Sequence, residues 1–231
     1  MKRTMMGSAL AVLALAMFVG RPAEAQDLQQ KVAAAKESAA QNQLALRSYS
    51  WLTKTEISLK GEVKNTKVES CRYGPDGQVQ KTPVQEPPPP QKKRGVRGRV
   101  VAKKTAEMKD EMESAAALVH RYVPPSPDKI QAAMAASKIT IVPSPATTTL
   151  RIADYEKAGD ALTLTLDSAS KGMKRIDVNT WLDAPSDKVT LGVDMQSLPD
   201  GTSYPGMVVL AIPSSNIQVR ITNSNYQKLA Q

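Results

Sequence analysis

From Ile139 onward the chain repeats one pattern: short runs of alternating apolar and polar residues, separated by turn-forming residues at hairpin distance. The runs are Ile139 to Val142, Thr148 to Tyr155, Leu162 to Leu166, Arg175 to Leu182, Val189 to Met195, Met207 to Ile212 and Ile217 to Asn223, punctuated by Gly159-Asp160, Gly172, Pro185, Asp200-Gly201 and Pro213-Ser214-Ser215. A period of two places one face of each strand in a core and the other in water. Connections this short join antiparallel neighbours, because a parallel pair needs a crossover of a dozen or more residues. The pattern therefore predicts an antiparallel meander and excludes a doubly wound βαβ sheet.

The same alternation occurs earlier. Tyr49, Trp51, Thr53, Thr55, Ile57 and Leu59 share one face of a strand, a second strand runs from Val63 to Tyr73, and the turn Gly74-Pro75-Asp76-Gly77 leads into a third through Val79. Three helices are predicted. The first, from Asp27 to about Leu46, carries Leu28, Val32, Ala35, Ala39, Gln43 and Leu46 at three- and four-residue steps. The second, from Thr105, sets Met108, Met112, Ala115, Val119 and Tyr122 on one side. The third starts at Ser126-Pro127-Asp128, where Ser caps, Pro fits the first turn and Asp faces the positive dipole end; Ile130, Ala133 and Met134 supply its apolar side. The expected fold class is α+β: a strongly curved antiparallel sheet of about ten strands, an open half-barrel, covered on its concave side by about three helices.

Between these parts the sequence changes character. Residues at about 83–104 hold Pro83, the run Pro87 to Pro90, and then Lys92, Lys93, Arg94, Arg97, Arg99, Lys103 and Lys104, with no acidic residue between Glu86 and Glu107. Consecutive prolines favour extended backbone and like charges repel, so this stretch is expected to be an exposed loop. Lys92, Lys93, Arg94, Arg97 and Arg99 are its candidate contacts with an anionic surface. The segment from Arg94 to Arg99 lacks the interleaved aromatics that stack nucleic-acid bases.

At the N-terminus, Lys2 and Arg3 precede an uncharged apolar run from Ala9 to Val19, followed by Ala23 and Ala25 ahead of Gln26. Basic, apolar and small-residue regions in that order are read as a secretory signal peptide over residues 1–25. The run is well short of the ~20 residues that a spanning helix needs. The expected organisation is that leader and one domain over 26–231, periplasmic and soluble after cleavage near Ala25/Gln26. The chain is basic, with 31 Lys and Arg against 22 Asp and Glu. In that compartment a basic protein meets anionic lipids and envelope polymers, so nucleic acid is not expected as a partner.

Composition also limits the chemistry. One Cys (Cys71) and one His (His120) among 231 residues cannot assemble the four ligands of a structural zinc site, and a lone Cys cannot form an internal disulfide. Cys71 is expected to be a small buried strand residue and His120 a helix-end side chain placed against the dipole. Asp154, Asp160, Asp167, Asp177, Asp183, Asp187 and Asp194 lie in or beside strands, where turns and solvated faces account for them. No nucleophile–base pair, metal set or phosphate-binding loop can be built, so no enzyme, no metal and no cofactor is expected.

The block Leu198-Pro199-Asp200-Gly201-Thr202-Ser203-Tyr204-Pro205, the alternating strands after it and the stretch Ile221 to Tyr226 resemble the LolA-like half-barrel superfamily. Its members include a periplasmic lipoprotein carrier, an outer-membrane acceptor and the sensor domain of a sigma-E regulator. Tyr49-Ser50-Trp51 and the stretch Tyr122 to Lys129 are also similar to uncharacterised exported bacterial proteins. The tetraproline-basic insertion departs from the LolA-like pattern, and no ligand-contact residue is carried over. The resemblance implies an apolar cavity for acyl chains, and hence a carrier whose partner is a hydrophobic ligand or an acylated protein, with an anionic membrane surface or an envelope protein as a second contact. The alternative is a protein-interaction or envelope-stress sensor domain of the same fold. Among the residues themselves, Met108, Met112, Met134, Trp51 and Trp181 are the candidates for lining such a cavity. Methionine adapts to irregular ligands, and both tryptophans lie on strands, although core packing is the commoner use of all five.

If the leader is read correctly, protein recovered from the periplasm should begin at Gln26. Intact-mass measurement checks this, and a mass that still includes Met1 would refute it.

Overall fold

The computed structural model describes Glu37 and residues 40–84, 96–170 and 172–229. Residues from Ala39 onward form one compact unit; of the preceding Met1–Ser38 segment only Glu37 is described, so the expected leader lies outside the described residues. Ten strands form one antiparallel sheet: β1 (Tyr49–Leu59), β2 (Glu62–Tyr73), β3 (Val79–Pro83), β4 (Ile139–Pro143), β5 (Thr147–Ala153), β6 (Ala161–Asp167), β7 (Met173–Trp181), β8 (Lys188–Ser197), β9 (Ser203–Ile212) and β10 (Ile217–Lys228). Residues 40–46 are helical (α1), followed later by α2 (Val96–Val119) and α3 (Pro127–Ala135). The fold is the expected α+β arrangement, a curved and open antiparallel sheet with helices.

The sheet order is β3-β2-β1-β10-β9-β8-β7-β6-β5-β4. It is a meander with one non-sequential junction, where β1 lies beside β10, and its first and last neighbours, β3 and β4, leave it open. The β1–β10 ladder runs from Tyr49↔Lys228 to Leu59↔Ile217, so the N-terminal three strands extend the C-terminal seven. Hairpin spacing cannot reveal such a junction, because the two strands are separated by most of the chain.

One correction concerns the proline-rich and basic stretch. α2 begins at Val96, not at Thr105, so Arg97, Arg99, Lys103 and Lys104 belong to a helix and not to a loop. Beyond the prolines, Val, Arg, Lys and Ala are adequate to good helix formers, and only Gly98 opposes them, by about 1 kcal/mol. Repulsion between like cations is a weaker constraint than the loss of proline, and Lys103–Glu107 and Lys109–Glu113 form i,i+4 ion pairs further along the helix. At the other end of the stretch, Pro83 is the last residue of β3.

α2 and α3 cover one face of the sheet. Ala115, Leu118 and Val119 of α2, Tyr122 just after it, and Ala133 of α3 share a core with alternate residues of the strands: Ile152, Leu162, Leu164, Ile176, Val178, Val189, Leu191, Val193, Leu210, Ile212 and Ile217. Fully burying a side chain of this kind contributes roughly 1.5–3 kcal/mol, which makes this the principal apolar contact of the fold. α3 starts as its sequence predicts: Ser126 is the N-cap, with its side chain accepting from the Lys129 N–H, and Pro127 occupies the first turn.

A buried polar cluster holds these helices to the sheet. Asp160, 1 % exposed, accepts the N–H groups of Tyr155 (2.6 Å), Glu156 (3.1 Å) and Lys157 (3.0 Å) and the hydroxyl of Tyr122. The Thr180 hydroxyl lies 2.8 Å from the Tyr122 oxygen. Tyr155 stacks on Tyr122 at 5.6 Å and accepts the Ser126 N–H at 2.7 Å. The loop between β5 and β6, the end of α2 and the start of α3 are thus tied together at one carboxylate. Burial first, and then the bond to Asp160, push the Tyr122 hydroxyl up from its ordinary value. Asp160 departs from the expectation of a solvated turn residue: folding the loop around it removes it from water, and the backbone donors replace the water.

Asp160→Ala would strand these backbone donors and should cost about 3 kcal/mol or more, whereas Tyr122→Phe removes one donor and should cost about 1–2 kcal/mol. Urea unfolding of both variants measures the order; equal, sub-kilocalorie losses would contradict it.

Candidate functional site

An apolar groove of about 610 Å³ lies between α2 and the strands β1, β8, β9 and β10. Its floor is Ile57 of β1, Leu191 and Val193 of β8, Pro205, Val208 and Leu210 of β9, and Val219 and Ile221 of β10. Its wall is Met112, Ala116 and Val119 of α2, with Val123 beyond the helix end. The volume falls in the range of small-molecule sites, ~300–1,000 Å³.

The groove opens where α2 presents a second side to the sheet. Leu118 and Tyr122 fill the space over the core, while the adjacent side offers the small Ala116 between Met112 and Val119, which themselves pack against the core at the groove's edge. Lys109, Glu113 and His120 are the polar members of the lining. All three are exposed, and Lys109 and Glu113 pair at 3.4 Å. The groove is therefore an apolar trough with charged groups along its helical rim, suited to a molecule with a long apolar part and a polar end.

One side of this trough is bounded by an aromatic cluster. Trp51 stacks on Tyr226 at 5.5 Å with an interplanar angle of 9°, and Tyr73, Tyr204 and Tyr49 surround the pair. Beneath the rings, the Trp51 Nε1–H donates to Thr53 Oγ1 at 3.0 Å, Thr53 donates to Asn223 Oδ1 at 2.7 Å, and Asn223 Nδ2 donates to the carbonyl of Pro205 at 2.8 Å. Pro205 is a floor residue of the groove, so this hydrogen-bonded chain links the cluster to the groove lining. Burial pushes the Tyr226 hydroxyl up from its ordinary value. Cys71 is buried beside Thr53, as a small strand residue should be.

The predicted lining residues separate in space. Met112 lines the groove, and Met108 packs against the core one helical turn earlier. Met134 is half-buried on α3 and outside the lining. Trp51 lies on the strand face that carries Ile57, but in the aromatic cluster. Trp181 is out of phase with the buried Val178 and Thr180 and packs near Gly159, with the Lys157 ammonium 4.5 Å from its ring centroid. Of the predicted surface contacts, Arg97 and Arg99 lie on α2, while Lys92, Lys93 and Arg94 lie outside the described residues. The strand residues of the floor were legible as an apolar face through their alternation. Their place beside an open groove was not, because it depends on where α2 crosses.

The turn before β9 is tied to this region by polar contacts. Asn42 of α1 brackets Ser203, donating to its carbonyl at 2.7 Å and accepting its N–H at 2.6 Å. Tyr49 donates to Asp200 at 2.5 Å. That hydroxyl, and then the N–H and hydroxyl of Thr202, hold the Asp200 carboxyl down to about 2.

No protein-family model matches the sequence, and no curated protein matches it. Among solved structures, a DUF1329 family protein from Desulfovibrio piger is similar at 10% identity and a TM-score of 0.36, over 83% of this chain and 92% of that one. Among the described residues no helix is long and apolar enough to cross a membrane.

Because Asp200 titrates lower in the folded chain than its ordinary 3.8, its contribution is present above that value and is lost as pH falls through 3.8 toward about 2. The difference in urea midpoint between the wild type and Asp200→Asn should be constant near neutrality and narrow over that acidic interval. A difference independent of pH would refute the role of the charged carboxylate as the acceptor of these bonds.

Proposed function

We propose that this chain is an exported, non-enzymatic carrier that holds a hydrophobic ligand, a lipid or the acyl chain of a lipoprotein, in the groove between α2 and strands β1, β8, β9 and β10. The observation that carries the reading is the groove's composition: a trough of about 610 Å³ with an aliphatic floor and a wall that includes Met112. Removing a ligand's apolar surface from water supplies about 25 cal/mol per Å², with no need for directional contacts. Met112 can repack around chains of different length. Lys109, Glu113 and His120 leave a polar end of the ligand in contact with charge and water.

The basic segment complements this role. α2 carries Arg97 and Arg99 near its start and the groove wall toward its end, so an anionic bilayer that attracted the basic residues would lie at the same element that receives the ligand. Cations near such a surface contribute roughly 1 kcal/mol each and are screened within a Debye length of about 8–10 Å. On this reading the charges bring the carrier to the membrane and the groove retains what is extracted.

Native mass spectrometry of the protein purified from the periplasm tests the proposal directly: a co-purifying lipid is expected. Ala116→Trp places an indole in the trough and should weaken an apolar dye at least about tenfold, equivalent to about 1.4 kcal/mol, while the urea midpoint stays level or rises. A lipid-free mass together with unchanged dye binding in the variant would refute the carrier reading; a clean mass with a captured envelope protein would favour the sensor alternative.

A further inference from the structure

The two open edges of the sheet differ in chemistry. At the β4 edge the Lys138 carbonyl accepts the Ala153 N–H at 3.0 Å, and the Ser144 N–H donates to the Thr147 carbonyl at 2.8 Å. Paired residues of an antiparallel ladder exchange bonds at alternate positions, so Thr140 and Val142 complete the bonding to β5. Ile139, Ile141 and Pro143 therefore turn their backbone groups toward the open side. No described strand pairs with them. Ile141 and Val142 are 58% and 55% exposed, and no charged residue occurs between Lys138 and Arg151.

The β3 edge is built on the same geometry with different residues. Bonds from Gly74 N–H to the Gln78 carbonyl and from Val84 N–H to the Val68 carbonyl set the phase, so Val79, Lys81 and Pro83 face outward. A twofold pairing centred on this edge would oppose Lys81 to Lys81, which like-charge repulsion disfavours.

We propose that the β4 edge is a self-association surface, at which a second copy of this chain adds its own β4 antiparallel about a twofold axis through Ile141. In that register each Ile141 N–H donates to the other copy's Ile141 carbonyl. Each Ile139 N–H donates to the carbonyl of the opposing Pro143, whose missing N–H is the only outward donor that the register does without. The arrangement brings the exposed Ile141 side chains together on one sheet face and sets Val142 against Thr140 on the other. Self-complementarity selects the occupant: the edge is neutral and apolar and its outward groups match their own twofold copy, so a second copy meets it without opposing charge, unlike the Lys81 edge. The interface is isologous and closes at two copies. It is remote from the groove in strand order and does not depend on the carrier reading.

Sedimentation velocity and hydrogen exchange on the protein recovered from cells test it together. The wild type should sediment as a dimer that dissociates on dilution, and the Ile139 and Ile141 amides should be protected in proportion to the dimer fraction. Ile141→Lys should sediment as a monomer with an unchanged circular dichroism spectrum. A wild-type monomer at micromolar concentration, or a dimer that survives Ile141→Lys, overturns the proposal. Protection of the two amides that is independent of concentration also overturns it, since it would mean that another segment of the same chain fills the edge. If Ile141→Lys fails to fold, the concentration dependence of amide protection in the wild type decides alone.

Discussion

The Asp160 carboxylate, withdrawn from water and bonded to three backbone N–H groups and the Tyr122 hydroxyl, is the contact on which the placement of the helices depends. A buried carboxylate is tolerated only when its lone pairs are occupied, and here the occupants come from different elements. The β5–β6 loop supplies the amides, and the end of α2 supplies the phenol. Tyr155 in the same loop accepts the Ser126 N–H at the start of α3. Apolar packing alone would let a helix slide over a sheet of aliphatic side chains, because the hydrophobic effect is not directional. The polar cluster removes that freedom and fixes the crossing of α2.

The groove is a consequence of that crossing. With Tyr122 anchored beside Thr180, α2 packs closely over the middle of the sheet, and its Ala116 side stands away from β1, β9 and β10. The aromatic cluster around Trp51 and Tyr226 then supports the far side through Asn223 and Pro205. The β1–β10 junction contributes as well, since it brings Ile57 to a floor otherwise built from the C-terminal strands.

These features separate two uses of the same apolar residue types. Leu118, Val178 and Ile152 are packed by neighbours and contribute to stability. Val208, Val219 and Ile221 face a space that neighbours leave open. The division also sets the two tryptophans apart from the groove: Trp51 and Trp181 are each engaged by aromatic or cationic partners, whereas the lining is aliphatic apart from its charged rim.

The alternation at Tyr49 to Leu59 and in the seven runs after Ile139 determined the strands, their antiparallel sense and which residues share a face, because a period of two leaves no choice once one face is apolar. Ser126-Pro127-Asp128 likewise determined the start of α3, through capping that acts within one turn of chain. The proximity of β1 to β10, the burial of Asp160 and the opening beside Ala116 were decided by tertiary structure. Each depends on residues far apart in the chain meeting in space: Tyr49 with Lys228, Asp160 with Tyr122, and Ala116 with a groove floor drawn from four strands. Local patterning carries the preference of a segment for helix or strand and the side it turns inward. It does not encode the distance between two such faces, and that distance separates a filled core from an open groove.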